Sequence, residues 1–172
     1  MALTVVVGGA RSGKSTYAIS RSDAVGGERV FLATAEARDD EMASRIARHK
    51  MERASEWQTI EEPIDLARVV SAIDDTTTVL VDCLTLWVSN MIEAGHSDTS
   101  ILSTIERIRE LLLARTGEAF VVSNEVGSGI VPFEPDVRRY RDVLGEVNAL
   151  IASDPAECVL MIAGRPLHLD IS

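Results

Sequence analysis

Two hydrophobic rhythms alternate along the chain. The first is a short, nearly unbroken apolar run, found at residues 5–7 (VVV), 29–33 (RVFLA), 77–82 (TTVLVD), 118–123 (EAFVVS) and 158–163 (CVLMIA). Such runs, bounded by glycine or polar residues, predict strands buried on both faces. A weaker strand is expected at 57–61 (WQTIE), closed by Pro63, and a short edge strand in PLHLD near the C-terminus. The second rhythm repeats every three to four residues and predicts helices. Residues 14–24 carry Tyr17, Ala18 and Ile19 and stop before Gly26-Gly27. Acids from Asp39 to Glu41 mark the start of a helix running to about Arg53. Further helices are expected at 64–74, at 83–94 up to Gly95, at 99–116 and at 136–152.

Strands that alternate with helices, and are buried on both faces, form a mostly parallel sheet with helices on both sides. The expected class is therefore α/β. No repeat, low-complexity tract or linker interrupts the pattern, and 172 residues suit one domain spanning 1–172. In such sheets ligands gather at the C-terminal ends of the strands. The unusual residues lie there: a glycine-rich loop after the first strand, Thr34 after the second, Asp82, and Asn124-Glu125.

The glycine-rich loop carries the most specific chemistry. Gly8, Gly9, Ala10, Arg11, Ser12, Gly13, Lys14 and Ser15 satisfy G-x-x-x-x-G-K-[ST], between a strand and a helix. Backbone N–H groups must converge on a phosphate there, so side chains must be absent where the chain curls. Lys14 supplies a point charge to the outer phosphates, and the Ser15 hydroxyl a ligand for Mg²⁺. The helix that follows adds the positive end of its dipole. Asp82, ending the strand VLVD, stands where a second magnesium ligand is expected.

Composition narrows the classes of partner. Charged residues sum to 17 − 27 = −10, which argues against nonspecific nucleic-acid binding and against attraction to anionic lipid. No apolar run approaches a membrane span and the first residues lack a signal-peptide pattern, so no membrane partner and a cytoplasmic location are expected. Cys83 and Cys158 sit in apolar segments, with neither a disulfide framework nor a zinc spacing, and read as buried reduced thiols. Arginine carries nearly all the positive charge: only Lys14 and Lys50 are lysines.

Lys50 belongs to a basic cluster, Arg45, Arg48, His49, Lys50 and Arg53, on the helix expected at 39–53. On an ideal helix Met42, Ile46, His49 and Arg53 share one face. The residues leave two readings of His49 open. It is a core histidine satisfied by a hydrogen bond, or a nucleophile or phosphate contact poised by arginines. NEVGSGIVP, residues 124–132, is equally open: a structural loop, or one that brings Asn124 and Glu125 to metal, water or substrate. Nothing marks His96 or His168.

Together, GGARSGKS, ATAEARDDEMASRIARHKMERASEWQTIEEP, VLVDCLTLWVSN, and NEVGSGIVP with RRYRDVLGEVN resemble one family, over nearly the whole chain. It is the bifunctional adenosylcobinamide kinase / adenosylcobinamide-phosphate guanylyltransferase of cobalamin biosynthesis. The resemblance implies a P-loop NTPase-like, RecA-like fold. It implies phosphorylation of the corrinoid adenosylcobinamide with ATP or GTP, then transfer of GMP from GTP through a GMP-histidine intermediate. By position in DDEM…RI…H that histidine corresponds to His49. Some members carry two adjacent histidines; this chain has Arg48-His49. Guanine-nucleotide contacts are implied at Thr34, Ala35 and Glu36, at Lys50 to Arg53, at Glu61 or Glu62, and at Asp82, together with a homotrimer. Two readings compete with it: a small-molecule kinase lacking guanylyl transfer, with a structural His49, and a nucleotide-dependent regulatory subunit.

Overall fold

The computed structural model describes residues 3–36, 57–153 and 156–169. Along the chain these form β1 (Leu3–Gly8), α1 (Lys14–Val25), β2 (Arg29–Ala33), β3 (Trp57–Glu61), α2 (Leu66–Ala72), β4 (Thr78–Asp82), α3 (Leu84–Glu93), α4 (Asp98–Ala114), β5 (Ala119–Asn124), α5 (Pro135–Ile151), β6 (Glu157–Ile162) and β7 (Arg165–Leu169). Each lies within a few residues of its sequence-based expectation. The helix expected at 39–53 lies outside the described residues.

Local chemistry sets the boundaries. The Asp65 side chain accepts from Arg68 N–H at the start of α2, and Ser97 accepts from Ser100 N–H at the start of α4. Pro135 opens α5, where its missing N–H removes no helical bond. Gly26, with φ 75°, ends α1.

The strands pair in the order β3-β2-β4-β5-β1-β6-β7. All neighbours are parallel except β7, which returns antiparallel along β6 as the edge strand. Buried side chains alternate between two layers. On one side Val5, Val30, Leu32, Val79, Val81 and Val121 pack against α2, α3, α4 and α5 through residues such as Leu66, Trp87, Ile105 and Leu144. On the other, Val6, Phe31, Leu80, Phe120, Val122 and Val159 pack with Ala18 of α1. Helices thus lie on both faces, as expected. The order separates β1 from β4 by one strand, so the C-terminal end of β5 lies between the phosphate loop and Asp82.

At the opposite end of the sheet, buried Arg115 donates to the carbonyls of Val70, Ile73, Asp74 and Thr77. It pins the end of α2 to the start of β4.

Candidate active site

The loop after β1 is shaped by close approach. A Cβ at Gly8 would lie 2.5 Å from the Met161 carbonyl and 2.8 Å from Ser12 Oγ. No side chain fits, and the first loop glycine is fixed by its neighbour strand β6. Arg11 (φ 55°) and Gly13 (φ 92°) take left-handed backbone, curling the chain into α1. Gly13 is the N-cap of α1, and no side chain caps that end. The first-turn N–H groups are therefore left by their own helix for an anion. The loop is braced from both sides: Glu125 N–H donates to Gly8 O (3.0 Å), and Gly164 N–H, in the β6–β7 turn, donates to Ser12 O (3.1 Å).

Lys14 is 8% exposed, and its ammonium donates to Gly9 O at 2.7 Å. The cation is thus held over the loop's own backbone, where the outer phosphates of a nucleotide would lie. Gly9, Ala10 and Arg11 are exposed, Ser12 is buried, and Ser15 is half-buried in the first turn of α1. Asp82 ends β4 on the α1 side of the sheet, since Leu80 two residues earlier packs with Ala18. Its peptide to Cys83 is cis.

The ends of β2 and β3 sort the remaining predicted residues. The Thr34 hydroxyl donates to Cys83 O (2.7 Å) and accepts from Cys83 N–H (2.8 Å), while Thr34 O accepts from Asn90 Nδ2 (2.9 Å). Thr34 is thus committed to the join between β2 and α3. Ala35 and Glu36 follow it toward the surface. Of the pair Glu61 and Glu62, Glu62 is committed. Its Oε1 accepts from Ile64 and Asp65 N–H, and its Oε2 from Arg68 at 2.7 Å. Burial alone would raise the Glu62 carboxyl, but these donors and the Arg68 charge outweigh it and hold it below its usual range. Glu61 lies exposed at the C-terminal end of β3. His49, Lys50 and Arg53 lie outside the described residues.

The NEVGSGIVP loop divides at its first two residues. Glu125 Oε1 accepts from Gly127 N–H (2.5 Å), Ser128 N–H (3.0 Å) and Ser128 Oγ (3.4 Å), so this carboxylate closes the turn. Among the described residues Asn124 is held by its backbone: its N–H donates to Thr85 Oγ1 (2.7 Å) and its carbonyl accepts from Asn148 Nδ2 (2.9 Å). Tyr140 OH in turn donates to Thr85 O (3.1 Å). Sequence reasoning assigned no role to Thr85, Asn148 or Tyr140. The available signal was a polar residue on an otherwise apolar helix face, Asn148 beside Leu144 and Val147.

The chain resembles known proteins over nearly its whole length. The model of the family described as "Cobinamide kinase / cobinamide phosphate guanyltransferase" matches residues 4–169. The bifunctional adenosylcobalamin biosynthesis protein CobP of Pseudomonas aeruginosa is 37% identical over 166 residues, covering 96% of this chain and 95% of the relative. The bifunctional adenosylcobalamin biosynthesis protein CobU of Escherichia coli is 33% identical over 178 residues, covering 94% and 96%. Among solved structures, an ATPase of a bacterial type III secretion system aligns with TM-score 0.60 at 11% identity, over 92% of this chain and 50% of that one. The RadB recombinase aligns with TM-score 0.52 at 16% identity, over 92% and 73%. At these identities the likeness is one of fold: a P-loop ATPase and recombinase architecture.

Proposed function

This chain belongs to the cobinamide kinase / cobinamide phosphate guanyltransferase family, and we propose that its single phosphate loop serves two attacks on a nucleotide. In the first, the hydroxyl of adenosylcobinamide attacks the γ-phosphorus of ATP or GTP. The bond to the β-phosphate oxygen breaks, the nucleoside diphosphate leaves and the hydroxyl proton is released. In the second, a neutral His49 imidazole nitrogen attacks the α-phosphorus of GTP, forming GMP-histidine and releasing pyrophosphate. The phosphate of adenosylcobinamide phosphate then attacks that phosphorus, giving adenosylcobinamide-GDP and freeing His49.

The observation that carries this reading is the uncapped start of α1 beneath a loop that Gly8 brings against β6, in a chain matched by the family from residue 4 to 169. Donors that grip the β- and γ-phosphates favour either leaving group: the diphosphate in the first reaction and pyrophosphate in the second. Lys14 carries charge to both. Residues Gly8 to Ser15 bind the phosphates. Thr34, Ala35, Glu36, Lys50, Arg53 and Glu61 are the proposed contacts to the rest of the nucleotide, and the Thr34 bonds to Cys83 and Asn90 hold the end of β2 from which Ala35 and Glu36 follow.

The donor set fits Mg²⁺. Ser15 and Asp82 offer one hydroxyl and one carboxylate. Among the described residues no three His, Cys, Asp or Glu side chains form a cage. A hard cation that keeps several waters and phosphate oxygens needs no more. When bound, Mg²⁺ supplies charge neutralisation at the β- and γ-phosphate oxygens.

We also propose the homotrimer and a cytoplasmic location. Ile130 and Phe133 are 97% and 92% exposed, and Val131 and Val137, near them in sequence, are exposed as well, apolar side chains that a second copy would cover. Among the described residues no helix is long and apolar enough to cross a membrane.

The test is incubation with GTP labelled at the α-phosphate. Acid-labile label on the protein, lost in His49→Ala, is the expected result. Cobinamide phosphorylation without any protein label would reduce the reading to a kinase. Nucleotide hydrolysis indifferent to cobinamide would point to a regulatory subunit.

A further inference from the structure

Asn124 ends β5 in register with Gly8, the residue where β1 gives way to the phosphate loop. Neighbouring strands lie about 5 Å apart, so the two residues are adjacent. Their side also follows from the alternation. Phe120 and Val122 pack with Ala18 of α1, so Asn124, two residues on, projects on the α1 side. That is the side where the loop curls and where Asp82 ends β4, whose register partner on β5 is Val122. Asn124 therefore stands between the phosphate loop and Asp82, at the C-terminal end of β5.

Its attachment is unusual. Thr85 of α3 and Asn148 of α5 both grip its backbone, and Glu125 N–H ties the next residue to Gly8 O. Tyr140 adds a bond to Thr85 O. Three elements fix the position of residue 124. Yet among the described residues its carboxamide makes no hydrogen bond, and it is only half-buried. A carboxamide offers two N–H donors whose availability does not change with pH. Beside a loop built to hold phosphates, such a donor is suited to an anionic oxygen.

We propose that the Asn124 carboxamide donates to an oxygen of the terminal phosphate of the nucleoside triphosphate held in the loop. The inference rests on the phosphate-loop reading above. Asn124 reads the γ-phosphate, so it acts on triphosphates and not on diphosphates. It contributes to both half-reactions, because that phosphate is transferred in one and leaves within pyrophosphate in the other. Glu125, closed onto its own turn, has no such part.

The test needs no corrinoid. Binding of GDP and of a GTP analogue with a non-transferable γ-phosphate is measured by calorimetry, with Mg²⁺, for the full chain and for Asn124→Ala, Asn124→Ser and Asn124→Asp. Both grips on residue 124 use backbone atoms, so the substitutions leave them in place. The wild-type chain is expected to bind the analogue more tightly than GDP. Asn124→Ala and Asn124→Ser should weaken the analogue by about tenfold or more, the usual loss for a hydrogen bond to a charged group, with GDP affinity within about twofold. Asn124→Asp, which sets a carboxylate against the phosphate, should weaken it further. Analogue affinity unchanged in all three variants, or equal losses for GDP and the analogue, would overturn the inference. A wild-type chain that binds neither nucleotide would overturn the phosphate-loop reading itself.

Discussion

The hydroxyl of Thr34 holds both polar groups of the Cys83 backbone, donating to its carbonyl at 2.7 Å and accepting from its N–H at 2.8 Å. Thr34 is fully buried and Cys83 is the N-cap of α3. One side chain thus ties the end of β2 to the turn that follows Asp82. Replacing it by the isosteric valine keeps the volume and leaves the Cys83 N–H unpaired, while the Cys83 carbonyl keeps its bond from Trp87 N–H. Thr34→Val should lose about 1–3 kcal/mol of stability. Urea denaturation measures it; a loss below about 0.5 kcal/mol would show that water or a backbone shift satisfies Cys83.

Gly8 and Gly9 are adjacent in sequence and opposite in tolerance. A Cβ at Gly8 meets the Met161 carbonyl at 2.5 Å, whereas a Cβ at Gly9 meets nothing within 4 Å. Gly8→Ala must push β1 from β6 and should cost about 1–3 kcal/mol, together with a more than tenfold loss of GDP affinity, a drop of at least about 1.4 kcal/mol. Gly9→Ala should leave the melting temperature nearly unchanged, so any loss of binding there reports on the ligand alone. Equal melting temperatures for the two variants would contradict the packing described.

Alkaline pH should weaken the fold. Burial, and then the negative Asp82 beside it, push the Cys83 thiol from 9.0 up to about 11. Burial pushes the Tyr140 phenol from 10.0 up to about 12, with Cys83 adding to it. Both groups hold their protons more tightly folded than unfolded. Their stabilisation is therefore complete below about pH 9 and is lost as pH rises through 11 to 12. The denaturation midpoint should fall over that window, and less steeply in Cys83→Ala. The raised thiol keeps its proton at pH 8 more fully than a free cysteine does, so iodoacetamide should label it more slowly in the native protein than in urea. Equal labelling rates would contradict this environment.

Much of this was legible in the sequence because it is local. The apolar runs VVV, RVFLA, VLVD, EAFVVS and CVLMIA each became a strand, and the phosphate loop's spacing marked its own place between β1 and α1. Sheet order was not legible. Nothing in hydrophobic period says that β5 inserts between β1 and β4, and so nothing indicated that Asn124 would pair with Gly8. Side-chain commitments were hidden for the same reason. Thr34 and Glu62 looked available in the chain, yet Thr34 bonds residues 49 and 56 positions away and Glu62 caps its own turn. Asn124 and Glu125 looked equivalent; the structure separates them, the Glu125 carboxylate closing its own turn while Thr85 and Asn148 grip the Asn124 backbone.

One cradle serving two attacks is tested most directly by comparing Lys14→Ala with His49→Ala in two assays run side by side. One follows phosphorylation of adenosylcobinamide, and the other pyrophosphate release from GTP with adenosylcobinamide phosphate. Lys14→Ala should lower both rates by at least about a hundredfold, as loss of a donor aimed at developing charge does. His49→Ala should abolish pyrophosphate release and leave phosphorylation within a few-fold of the parent. A Lys14→Ala variant that keeps either activity near the parent rate would show that the two reactions do not share the loop.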